Sequence, residues 1–163
     1  MKLMQGLALF LLPSIFIHAV AAPVTIELPP PQFKGNGSLE GALQERRSVR
    51  NYSKTPLTLS EISQLAWATQ GVTNQSGFRT APSAGALYPL ELYLVASRVS
   101  ELEPGLYHYL PAKHALQQIS SDDLQTKLAM AAYNQSAVRK AAAVFVITGV
   151  KQRTARKYGR RAE

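Results

Sequence analysis

The spacing of apolar positions changes several times along the chain, and each change marks an element. From Leu90 to Val95 the pattern alternates: Leu90, Leu92 and Leu94 share one face, Glu91 and Tyr93 the other, as in a strand with one side buried. Gly105 to Leu110 and Ala115 to Ser120 flank Pro111 to His114 and predict a hairpin. Ala141 to Thr148, AAAVFVIT, is continuously apolar, the pattern of a buried strand. Between Leu59 and Gln70 the period lengthens to that of a helix, with Ile62, Leu65, Ala66 and Thr69 on one face. Thr58 and Glu61 form a capping box, Leu57 and Ile62 a hydrophobic staple, and Gly71 stands at the carboxyl-terminal exit. Ser38 can cap a short helix through Gln44, and Asp122 to Tyr133 reads as a helix with two acidic residues in its first turn. Strands and helices mix without a repeated βαβ unit, so the fold class is α+β.

The amino terminus departs from this pattern. Lys2, the apolar run Leu7 to Val20 and the small residues ending at Ala21 are the three parts of a signal peptide, residues 1–21, with cleavage after Ala21. The run is short and contains Pro13, which argues against a permanent membrane span and for a periplasmic or secreted protein. Residues 22–37 hold Pro29-Pro30-Pro31 and Gly35-Asn36-Gly37 and predict an extended, then flexible linker outside the core. The domain is expected over residues 38–163.

Composition narrows the chemistry. With 163 residues, 46% hydrophobic and 17% charged, the chain is a globular protein of one domain. It has no cysteine, which excludes disulfides, thiolate zinc sites and a catalytic thiol. The formal charge is +8, but Lys151, Arg153, Arg156, Lys157, Arg160 and Arg161 crowd into the last segment and the rest is close to balanced. That distribution describes a solvated or anion-facing end, not a nucleic-acid reader. His108 and His114 flank the hairpin and are expected at the surface, with no metal site near them in sequence. Trp67, on the Leu59 helix, is expected to pack.

Two stretches carry candidate chemistry. Arg46-Arg47-Ser48-Val49-Arg50 sets three guanidinium groups and a hydroxyl within five residues. Guanidinium binds phosphate bidentately at any working pH, so this is a concentrated anion site; the alternative is a charged surface turn. Pro82, Ser83, Ala84, Gly85 and Ala86 form a segment almost without side-chain bulk, able to lie flat against a planar ligand; the alternative is an ordinary junction of loop and strand. Pro89 is expected to hold Tyr88 extended. The segment around Ser83 also imitates the nucleophile elbow of a serine hydrolase. No strand is expected before it, however, and both histidines precede Asp122 and Asp123, the reverse of that order.

In order, the Arg-Arg-Ser-x-Arg cluster, TLSEISQLAWATQG, APSAGALYPLE and Lys157-Tyr158-Gly159 give a chain that resembles the nitroreductase-like flavoproteins, specifically their SagB/ThcOx-type dehydrogenase branch, over about Ser38 to Gly159. The resemblance implies a mixed or antiparallel sheet flanked by helices, a homodimer with FMN at its interface, ping-pong hydride transfer and a small-molecule or peptide substrate. In members acting on ribosomal peptides it implies oxidation of azolines to azoles. By motif, Arg46, Arg47, Ser48 and Arg50 match the residues contacting FMN. Pro82, Ser83, Ala84 and Gly85 match the loop along the flavin, in the same or the other subunit. Lys157 and Tyr158 match a catalytic Lys-Tyr pair. Family members continue past this segment, so the resemblance also implies a fold incomplete at its carboxyl terminus, as a truncated enzyme or a non-catalytic remnant.

Overall fold

The fold was obtained as a computed structural model that describes residues 22–162; the expected signal peptide lies outside the described residues. Its centre is an antiparallel sheet of five strands: β1 (Thr25–Glu27), β2 (Leu90–Ala96), β3 (Gly105–Leu110), β4 (Ala115–Ser120) and β5 (Ala143–Gly149). They lie in the order β1-β4-β3-β2-β5. The β3–β4 hairpin falls where its alternation predicts. β2 pairs on one side with β3 and on the other with β5, from Leu90 opposite Gly149 to Ala96 opposite Ala143. As the pattern requires, Leu92, Leu94 and Ala96 face inward and are fully buried, while Glu91 and Tyr93 lie on the other face, half-buried.

Five helices accompany the sheet: α1 (Leu39–Glu45), α2 (Leu59–Gln70), α3 (Gln125–Ala131), α4 (Ser136–Lys140) and α5 (Lys151–Tyr158). The α2 capping box is complete. The Thr58 hydroxyl accepts from the Glu61 N–H, and the Glu61 carboxylate accepts from the Thr58 N–H at 2.7 Å. Those charge-assisted bonds hold the Glu61 carboxyl below its ordinary range. The buried face of α2 is Leu59, Ile62, Ser63, Ala66 and Gln70, rotated from expectation so that Leu65 is exposed. Gly71 ends the helix in extended, not left-handed, backbone. A Cβ there would sit 2.1 Å from Trp67 Cδ1, so the glycine is needed for close approach.

Ile62, Ala66, Leu92, Leu94, Tyr107, Tyr109 and Leu116 form the core between α2 and the sheet. Tyr107 donates its hydroxyl proton to Glu103 O at 2.6 Å, which makes its burial tolerable; that burial raises its pKa.

Four expectations need correction. The segment expected as a linker outside the core supplies β1, which pairs with β4, and Leu28, which is buried among the core residues. Its proline run hides a short strand whose partner lies about 90 residues away, beyond any local signal. β5 is an edge strand, its second half exposed, with Ile147 55% accessible; continuous apolarity does not tell a buried strand from one awaiting a cover. The helix expected from Asp122 starts at Gln125, with the Asp123 carboxylate accepting the Gln125 N–H at 3.0 Å outside it. His114 is not a free surface residue. Its Nε2 lies 2.8 Å from Ser63 Oγ and 3.0 Å from Pro29 O, and its Nδ1 lies 2.9 Å from Tyr109 OH. Pro29 O can only accept, so the imidazole proton sits on Nε2 and Nδ1 accepts from the Tyr109 phenol, whose pKa burial pushes up to about 12. This network ties the amino-terminal segment to α2 and to the hairpin turn.

Candidate functional site

The small-residue segment forms a tight single turn, Ala84–Ala86, between α2 and β2. Gly85 has φ +64°, Ala86 φ +54° and Tyr88 φ +42°, three left-handed residues out of four. Tyr88 is therefore not extended, against the bias imposed by Pro89. Tertiary contacts hold it: its N–H donates to Ser83 Oγ at 2.8 Å, its hydroxyl accepts the Arg79 N–H, and its ring lies 4.6 Å under the Arg79 guanidinium.

Onto this turn comes the end of α5. A Cβ built on Gly85 would stand 2.7 Å from Lys157 Nζ and 2.8 Å from Tyr158 OH, so both polar atoms crowd one point above a backbone with no side chain. Residues about 70 positions apart thus share one site: the bulk-free Pro82 to Gly85 loop as its floor, Lys157 and Tyr158 beside it. β2 and β5 explain the meeting, because Leu90, which follows the loop, pairs with Gly149, which precedes α5.

A second group, absent from the sequence-based candidates, secures that arrangement. Arg153 on α5 donates from one nitrogen to Tyr88 O at 2.9 Å and from the other to the Glu91 carboxylate. His108 Nε2 bonds the second Glu91 oxygen, and its ring stacks on Tyr93 at 4.8 Å. Glu91 is half-buried, and desolvation raises its pKa. The hydrogen bonds and charges of His108 and Arg153 outweigh that and leave it below the ordinary carboxylate value. Alternation placed Glu91 and Tyr93 on one face, and the β2–β3 pairing places His108 opposite Tyr93. That pairing and the docking of Arg153 complete the group. Tyr88, Glu91, His108 and Arg153 line an open pocket of about 530 Å³.

Arg46, Arg47, Ser48 and Arg50 follow α1 in exposed backbone. No acidic side chain pairs with these guanidinium groups among the described residues; Arg47 donates only to the carbonyls of Gln44 and Arg46. Ser48 and Arg50 face a groove of about 410 Å³ against α4 and the first half of β5. That is the opposite end of the β2–β5 pair from the Gly85 turn, about 20 Å away at strand rise. Within one chain the structure therefore brings Lys157 and Tyr158 to Gly85 and leaves Ser48 and Arg50 in a separate groove, with Arg46 and Arg47 exposed. Both histidines of the described residues are engaged elsewhere, so among the described residues no histidine serves as general base to Ser83, whose oxygen accepts from the Tyr88 N–H.

A model of the nitroreductase family matches residues 43–163, a span that takes in both groups. The chain belongs to the nitroreductase family. A protein of Methanocaldococcus jannaschii named as a candidate nitroreductase is 44% identical over 123 residues, covering 76% of this chain and 62% of that one. Crystal structures of candidate nitroreductases from Ralstonia eutropha and Anabaena variabilis superpose with TM-scores of 0.69 each, at 29% and 27% identity. They cover 85% and 84% of this chain, and 61% and 29% of their own. The Escherichia coli microcin synthetase McbBCD complex shares the fold, with a TM-score of 0.56 at 21% identity over 91% of this chain and 55% of the other. The chain thus spans about three-fifths of its curated nitroreductase relative. The antiparallel sheet flanked by helices is the nitroreductase-like fold.

Proposed function

We propose that this nitroreductase-family chain acts as an FMN-dependent oxidoreductase of the SagB/ThcOx type, working as a homodimer on a small-molecule or peptide substrate. The observation that carries the reading is the convergence of Lys157 and Tyr158 on Gly85. A floor without side chains admits a flat ring system, and an amino nitrogen and a phenol beside it are groups that can hold and pass a proton.

The residues present fit FMN. Its phosphate is a dianion, and Arg46, Arg47 and Arg50 offer guanidinium groups with no competing carboxylate, with the Ser48 hydroxyl as a neutral donor. FMN held here would supply hydride-transfer chemistry between two substrates. Within that cycle the loop excludes water from one face, and Arg50 supplies positive charge where negative charge develops. Lys157 and Tyr158 hold the proton that accompanies each hydride, and Arg153 fixes their helix. In a homodimer the arginine corner of one protomer and the Gly85 turn of its partner would form each site, which accounts for their separation within one chain. The signal peptide expected at residues 1–21 would carry this activity to the periplasm or outside the cell.

The absorption spectrum of the purified protein tests the reading. Flavin bands in the near ultraviolet and blue, with flavin released on denaturation, are expected. A colourless protein that takes up no added FMN overturns it.

A further inference from the structure

A second concentration of positive charge lies where β2 ends and β5 begins, and of its cations the flavin reading uses Arg50 alone. Arg50, Lys54, Arg98, Arg139 and Lys140 line one pocket of about 640 Å³, with Tyr52 among them and no carboxylate in its wall. Arg98 is anchored by its backbone, which bonds Ala142 O at 2.9 Å, and by one guanidinium nitrogen, which donates to Lys140 O at 2.9 Å. Its Nε is closed to solvent and has no hydrogen-bond partner among the described residues. Arg139 spends one nitrogen on Asn134 Oδ1, and Lys54 and Lys140 are exposed, with no ion pair or hydrogen bond from either ammonium among the described residues. Five cations held around one concavity repel each other, and an anion entering it relieves that repulsion.

We infer that this pocket binds a small phosphate-bearing molecule. Guanidinium pairs suit phosphate oxygens bidentately, and two ammonium groups add point charges. The volume falls in the range of small-molecule sites. The shape favours such a ligand over a nucleic-acid backbone: the cations surround a hollow, while the other basic cluster, on α5, sits at the far end of the β2–β5 pair. No continuous basic stripe joins them along the sheet.

Titration calorimetry of the purified full chain, with whatever flavin it carries, tests this with inorganic pyrophosphate as the probe and sodium chloride at matched ionic strength as the control. One site per chain is expected. Affinity should fall about tenfold or more in Lys54→Glu combined with Lys140→Glu, two exposed changes that leave Arg98 and its backbone contacts intact. Flavin content should be unchanged in that variant, because neither residue belongs to the proposed flavin corner. Absence of heat beyond the salt control overturns the site, as does equal affinity in the variant. Displacement of flavin by pyrophosphate overturns it as a separate site, and tighter binding of an oligonucleotide overturns its ligand class. A colourless protein that binds pyrophosphate in this way would sink the flavin reading and leave this one standing.

Discussion

Gly85 is the residue on which the floor of the candidate site depends, because its φ of +64° is accessible to glycine at little cost. Gly85→Ala should lower stability by about 1 kcal/mol from backbone strain alone, measured by urea unfolding. Turnover should fall more than stability, because the new methyl group occupies the point that Lys157 Nζ and Tyr158 OH approach. An unchanged kcat would show that the lysine end moves aside freely. Glu91 makes a different test at the same scale. Its folded pKa is depressed below 4.5, so its contribution to stability is fully present above that value and is lost as pH falls through the lower folded pKa. Unfolding free energy should therefore decline below about pH 4.5, and Glu91→Gln should make that decline shallower. The decline will not vanish, since Glu61 is shifted in the same direction and remains. Equal slopes in the two proteins would mean that the Glu91–His108–Arg153 group adds nothing to the fold.

At the scale of elements, legibility followed the distance between cause and effect. The α2 capping box spans four residues, and the hairpin is set by its turn and alternation, so both could be read from local pattern. Thr58→Ala should cost about 1 kcal/mol, read from the shift in denaturant midpoint, because it removes the acceptor of the Glu61 N–H. What escaped was made by pairing across the chain: β1 against β4, His114 against Pro29, and Arg153 against Glu91 and Tyr88. Lys157 and Tyr158 were found by motif, whereas Arg153, one helical turn before Lys157, was hidden within a run of basic residues. Its two anchors are all that the sequence around it lacks. Arg153→Met should detach the amino-terminal half of α5 from β2 and speed tryptic cleavage at Arg156 and Lys157 several-fold relative to the parent. Cleavage at an unchanged rate would show that α5 is held by other contacts.

For the whole molecule the question is how the two groups at opposite ends of the β2–β5 pair would serve one flavin under the proposed reading. A single-chain site would need the arginine corner to travel along β5, yet Ser48 and Arg50 lie against α4 and β5. A second copy would need no such movement: in the proposed homodimer a two-fold axis would carry each protomer's Gly85 turn toward its partner's Arg46 and Arg50. The two arrangements differ in what happens when defective chains are mixed. One variant carries Arg46→Ala with Arg50→Ala, the other Gly85→Val, and each alone should bind little flavin. If every site draws its arginines from one protomer and its turn from the other, a mixed dimer has one doubly damaged site and one intact site. Co-expression with random pairing should then restore flavin to about a quarter of the parent level, measured by absorbance per chain. If every site lies within one chain, mixing defective chains restores nothing, because no pairing reunites an intact corner with an intact turn. Refolding the two variants together from denaturant should give the same recovery as co-expression, and keeping them as separate folded pools should give none, since recovery requires exchange of protomers.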